Sequence, residues 1–158
     1  MLFLKKIQTK VICLIMATAS LCANHEMQHV VIFSVDPMNH FGQIMGPSPV
    51  FSFKAGSASS SSWSNTYSIS TNEVNKKVIA FLDADMPRGT SLQVSLTAPA
   101  GARTLGTQTL SSTPVDLVIE VSEVGASGLP MVYTFSAQAN AGVVPSTTRV
   151  VMYTLVDG

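Results

Sequence analysis

Leu92-Gln93-Val94-Ser95-Leu96-Thr97-Ala98 alternates apolar and polar residues without a break. Successive side chains of an extended chain point to opposite faces, so this period of two marks a strand with one buried face. The pattern returns at Val115–Ser122, with Val115, Leu117, Ile119 and Val121 read as inward and Asp116, Val118 and Glu120 as outward. It returns again from Met131 to Ala139, where Met131, Tyr133 and Phe135 fall on the inward side together with Ala137. Composition and alternation predict further strands over Val30–Val35, Val50–Lys54, Trp63–Thr71, Lys76–Asp83 and Arg149–Val156, and a short one within Arg103–Thr109. From Gln28 onward no stretch sustains a 3.6-residue period, which predicts little helix.

Turn residues separate these runs. Met86-Pro87-Arg88-Gly89 and Ala98-Pro99-Ala100-Gly101 are read as type I turns with Pro second and Gly fourth. Gly125, Gly128 and Pro130 are expected to end the chain's extended path before Met131, and Ala141–Pro145 to do so before the last strand. The Gly56–Ser62 tract reads as a mobile loop inside the domain. Eight or nine short strands at this spacing predict an all-β chain, a single antiparallel β-sandwich with meander, Greek-key or immunoglobulin-like connections. A small barrel is the second architecture.

The first residues have a different texture. Lys5, Lys6 and Lys10 precede an apolar run, Val11–Leu21, which is followed by Cys22, Ala23 and a polar stretch. That is the layout of a secretory signal peptide, with cleavage expected after Ala23 and a mature domain over residues 24–158. A largely apolar run of 11 residues falls short of the roughly 20 needed to span a bilayer, so no stable transmembrane anchor is expected. The two cysteines, Cys13 and Cys22, both lie in this leader, so the mature domain is expected to hold together without a disulfide. Lipid on Cys22 is the variant reading, opposed by the bulk of Leu21. The whole chain carries 9 basic and 9 acidic residues; without the three leader lysines the balance is 6 − 9 = −3. A mildly acidic domain with 11% charged residues has no electrostatic footprint for nucleic acid.

Candidate sites are few. His25-Glu26-Met27-Gln28-His29 matches the zinc-protease pattern, in which a helix places two imidazoles one turn apart. Here the following Val30–Val35 favours a strand, so a metal-dependent hydrolase using His25, Glu26 and His29 is only the third reading. Asp83 and Asp85 could hold calcium, but carboxylates in a turn more often cap backbone amides. No activated Ser or Cys and no phosphate-binding glycine loop is evident, and neither an enzymatic activity nor a cofactor is expected. Trp63, next to the serine tract, is a candidate contact residue or else a cap on the core.

The text from Ser70 to Thr90, with Asn75-Lys76-Lys77-Val78 and Leu82-Asp83-Ala84-Asp85-Met86-Pro87-Arg88-Gly89, resembles small secreted bacterial β-sandwich proteins of uncertain role. Val115-Asp116-Leu117-Val118 and Ala141–Ser146 add to that likeness. More loosely, the chain resembles pilin-like subunits of the chaperone–usher and spore-coat-U type. That resemblance implies an incomplete sandwich completed by a strand from another subunit, with Val31, Phe33 and Val35 as donor strand and Tyr153 and Leu155 at an acceptor edge. The expected function is a non-enzymatic structural or adhesive protein, exported to the periplasm, cell surface or medium. Its expected partner is a further copy or another envelope protein. The alternative is an extracellular module that binds a small ligand or glycan through Trp63 and the Gly56–Ser62 loop.

Overall fold

A computed structural model describes residues 11–18, 28–45, 49–51 and 58–158, which divide into two units, Met1–Pro37 and Met38–Gly158. In the first unit, β1 (Val11–Thr18) and β2 (Gln28–Val35) form an antiparallel pair, in register from Val11 opposite Val35 to Thr18 opposite Gln28. The second unit holds β3 (Asn39–Met45), β4 (Ser59–Thr71), β5 (Lys76–Leu82), β6 (Thr90–Leu96), β7 (Arg103–Thr104), β8 (Gln108–Thr109), β9 (Val115–Val121), β10 (Val124–Ala137) and β11 (Val151–Asp157). One turn of 3-10 helix, Ala139–Ala141, is the only helical element among the described residues. The fold class is all-β, and every ladder is antiparallel.

Two sheets make up the second unit: five strands in the order β3-β4-β10-β6-β8, and four in the order β11-β5-β9-β7. From β4 onward each connection passes from one sheet to the other, so consecutive strands are never laddered and the meander is excluded. The longer strands β4, β5, β6, β9 and β10 each have one apolar face, and successive ones present those faces to each other instead of sharing hydrogen bonds. A single core cluster accordingly draws Tyr67, Ile69, Leu92, Val94, Leu96, Met131 and Tyr133 from the first sheet and Val78, Ala80, Leu82, Leu117, Val118 and Val121 from the second. Three rings tie the sheets together. Phe41 of β3 stacks on Tyr67 of β4 at 5.1 Å between centroids and on Tyr153 of β11 at 5.0 Å, with interplanar angles of 15° and 12°. The Tyr153 hydroxyl donates to that of Tyr133 at 2.7 Å, and Tyr67 donates to the Thr97 carbonyl at 2.6 Å.

Several expectations need correction. β3 has no counterpart among the expected strands, because its apolar residues do not alternate and Gly42 reads as punctuation. A Cβ at Gly42 would overlap the Ser68 hydroxyl of neighbouring β4, so the position has no room for a side chain as β4 stands. β10 runs through Gly125, Gly128 and Pro130 instead of starting at Met131. Its register shifts between Ala126 and Leu129, where Gly128 has φ +68°, the mark of a bulge that only glycine enters without strain. Pro130 is tolerated because β6 joins β10 only from Met131 onward, leaving the proline position one ladder fewer to serve.

In β9 it is Val118, fully buried, and not Ile119, that points inward. Glu120 sits at φ +62° and the β5–β9 register slips, which breaks strict alternation. Both proline turns are displaced by one residue: Thr90 N–H bonds to Pro87 O and Ala102 N–H to Pro99 O. Gly89 and Gly101 thus occupy the third corner at φ +77° and +83°, the position at which a type II turn requires left-handed backbone. Ser59–Ser62 belong to β4 and not to a loop, because β10 supplies a complete ladder partner from Thr134 to Ala137. The short strand expected in Arg103–Thr109 is two, one in each sheet. Val50 and Phe51 are not strand, with Phe51 stacked on Phe135 at 5.3 Å, while 52–54 lie outside the described residues.

If the ring stack holds the two sheets together, Phe41→Ala should cost about 3 kcal/mol in urea unfolding, while Phe41→Leu, which refills most of the volume, should cost markedly less. Equal and small losses would contradict the packing described.

Candidate functional site

Charge divides between the two sheets. The strands of the five-stranded sheet contain no Asp, Glu, Lys or Arg. The four-stranded sheet carries Lys76, Lys77, Arg103, Asp116, Glu120 and Asp157. These six pair across strands: Lys76 with Asp157 at 2.5 Å, Lys77 with Asp116 at 3.3 Å and Arg103 with Glu120 at 3.5 Å. The latter two are open to water and add little stability.

The outward positions of the uncharged sheet form rows of hydroxyls. Strand register aligns Ser60 of β4 with Ser136 of β10 and Ser91 of β6, then Ser62 with Thr134, Gln93 and Thr109 of β8, then Ser64 with Val132 and Ser95. Neighbours in a row bond to each other: Ser62 and Thr134 at 3.1 Å, Ser136 to Ser60 at 3.3 Å, Gln93 to Thr109 at 3.2 Å. The first row opens into a shallow depression of about 510 Å³ bordered by Ala58, Gly89, Thr90 and Gln138. Ser60 and Ser62 belong to the Gly56–Ser62 tract already singled out with Trp63, whereas the hydroxyls of β6, β8 and β10 are hidden in sequence behind the apolar half of each alternation. The available signal was in the polar half, which is uncharged in β4, β6 and β10 but charged in β5 and β9.

The residues singled out from sequence are dispersed. Trp63 lies within β4, opposite Tyr133, and is partly buried against the core; its indole N–H is buried and finds no hydrogen-bond partner among the described residues. Asp83 and Asp85 are occupied with backbone: Val150 N–H donates to Asp83 at 3.0 Å and Ser112 N–H to Asp85 at 2.7 Å, tying two loops to the end of β5. The Ser112 amide is the main cause that holds the Asp85 carboxyl below its usual range. His25 and Glu26 lie outside the described residues, whereas His29 lies in β2, where its backbone is opposite Ala17. Val31, Phe33 and Val35 also lie in β2, opposite Ile15, Cys13 and Val11. Among the described residues no three His, Cys, Asp or Glu side chains cluster, and no helix is long and apolar enough to cross a membrane.

The strongest electrostatic feature lies at the end of β5. Lys76 faces inward beside the core and reaches Glu73 at 2.7 Å as well as Asp157. Glu73 also accepts a hydrogen bond from the Asn39 side chain, which links β3 to the β4–β5 turn. The bond from Lys76, then that from Asn39, holds the Glu73 carboxyl below its ordinary 4.5, while Asp157 and then Glu73 raise the Lys76 amine. Burial pushes Tyr67 up to about 12 and raises Tyr133 and Tyr153 as well. These groups serve the fold; none faces the hydroxyl rows.

Comparison of this chain with family models, with curated proteins and with solved structures finds no match.

Because Glu73 binds its proton less readily folded than unfolded, the stabilisation it provides is complete above about pH 4.5 and is lost as pH falls through the lower folded value. The Lys76 contribution runs the other way, complete below the ordinary lysine range and lost only above it. Glu73→Gln should therefore lower Tm at neutral pH, with the gap to wild type closing as pH falls below about 4.5. Parallel Tm curves for the two proteins would contradict this linkage.

Proposed function

We propose that this chain is an exported, non-enzymatic envelope protein with a structural or adhesive role, located in the periplasm, at the cell surface or outside the cell. The observation that carries this reading is the charge-free sheet. The strands of that sheet carry no Asp, Glu, Lys or Arg, and the neutral hydroxyls on β4, β6 and β10 provide many equivalent contact points. The lysine-flanked apolar run at the N-terminus supports export.

A pilin-like form of the role draws support from a separate observation. The only described ladder partner of β2 is β1, and β1 falls wholly within the stretch read as the leader. Cleavage after Ala23 would remove β1 and leave the backbone groups of Gln28–Val35 unpaired, the condition of a strand available for addition to another chain. Among the described residues β11 ladders with β5 alone, which makes it an edge strand to which one could be added.

N-terminal mass spectrometry of the protein from cell fractions should find Asn24 first and no acyl group; a retained residue 1 in every fraction would refute export. Purified mature protein should run as ladders that survive mild detergent, and deletion of 28–35 should abolish them. A monomer indifferent to that deletion would rule out strand exchange.

A further inference from the structure

We infer that the outer face of β4, β10 and β6 binds a neutral, hydroxyl-rich polysaccharide, which gives the adhesive reading above a partner class and rests on it. Neutrality follows from composition. Lys and Glu on exposed sheet faces ordinarily keep proteins soluble and apart; this sheet has neither, although the opposite sheet has both. A charged polymer would bring ions to a face that offers no counter-charge.

Chemistry and spacing point to sugars. Each Ser or Thr hydroxyl has one donor and two acceptor sites, and Ser60, Ser136, Ser62 and Thr134 use only part of that capacity on each other. Their mutual bonds hold them in place before any ligand arrives. Along the first two rows, hydroxyl or amide side chains recur at the strand separation, about 4.8 Å, close to the length of one pyranose ring. A glycan laid across the strands thus meets a donor–acceptor group at about every sugar. The depression beside Ser60, Ser136 and Ser91 gives the polymer a concave seat at one end of the face. A second copy of the chain is the less favoured occupant. Stable protein interfaces have an apolar centre, and the laddered outer positions here offer only Val132 and Pro130. Each sugar contact is weak, and retention arises from many of them along one polymer.

The test is co-sedimentation of the mature protein with microcrystalline cellulose, chitin and insoluble α-glucan, with alginate beads as the anionic comparison. We expect retention on at least one neutral polymer, insensitive to high salt. Thr134→Lys should reduce it about tenfold or more, and Lys77→Ser on the opposite sheet should leave it unchanged. Ser62→Lys, on the more exposed β4, reports the same contact should Thr134→Lys fail to fold. Retention on none of the neutral polymers, retention that neither lysine weakens, or binding to alginate alone would overturn the assignment. So would a dimer in analytical ultracentrifugation that the lysines dissolve without any polymer retention, which would make a second copy the occupant. Export is read separately by mass spectrometry, so an exported protein that binds no polymer defeats this inference and leaves the broader reading standing.

Discussion

Phe41 stands between the rings of Tyr67 and Tyr153, and those two tyrosines belong to different sheets. The second unit contains no cysteine, so packing alone must keep its sheets closed. The stack does this economically: one phenylalanine from an edge strand meets its neighbour within the sheet and a partner across the core. The Tyr153 hydroxyl then finds that of Tyr133, which leaves neither buried phenol unpaired. Around the rings, short aliphatic side chains from both sheets complete one core. The crossing connections follow from this, since strands that face each other across a core need no shared ladder.

With the inner faces committed to that core, the outer faces are free to differ, and they do. One carries cross-strand ion pairs typical of a face adapted to water. The other carries aligned hydroxyls and no charge. The same strand registers that place Tyr133 opposite Trp63 also place Thr134 opposite Ser62, so the core and the contact face are set by one alignment. A slip of one residue in β10 would exchange them.

Much of this was legible in the sequence. β6 and β9 were read closely because their apolar residues alternate, and β5 because Val78, Ala80 and Leu82 do the same. What escaped was whatever depends on a neighbour. β3 has Phe41 as its main inward anchor and is a strand because β4 accepts it. The serines of β4 are strand because β10 pairs with them, against their own preference for turns. Bulges at Gly128 and Glu120 overrode the period-two reading locally, one by adding a residue to the ladder and one by turning Val118 inward. The hydroxyl rows needed the cross-strand register, which no single strand contains.

The most direct measurement is an NMR experiment on protein with labelled aromatic rings, recording through-space contacts of the Phe41 ring protons. Cross-peaks are expected from Phe41 to both Tyr67 and Tyr153. Cross-peaks to Tyr67 alone, with the β5–β11 ladder intact, would mean that the sheets do not close through these rings and would contradict the arrangement described.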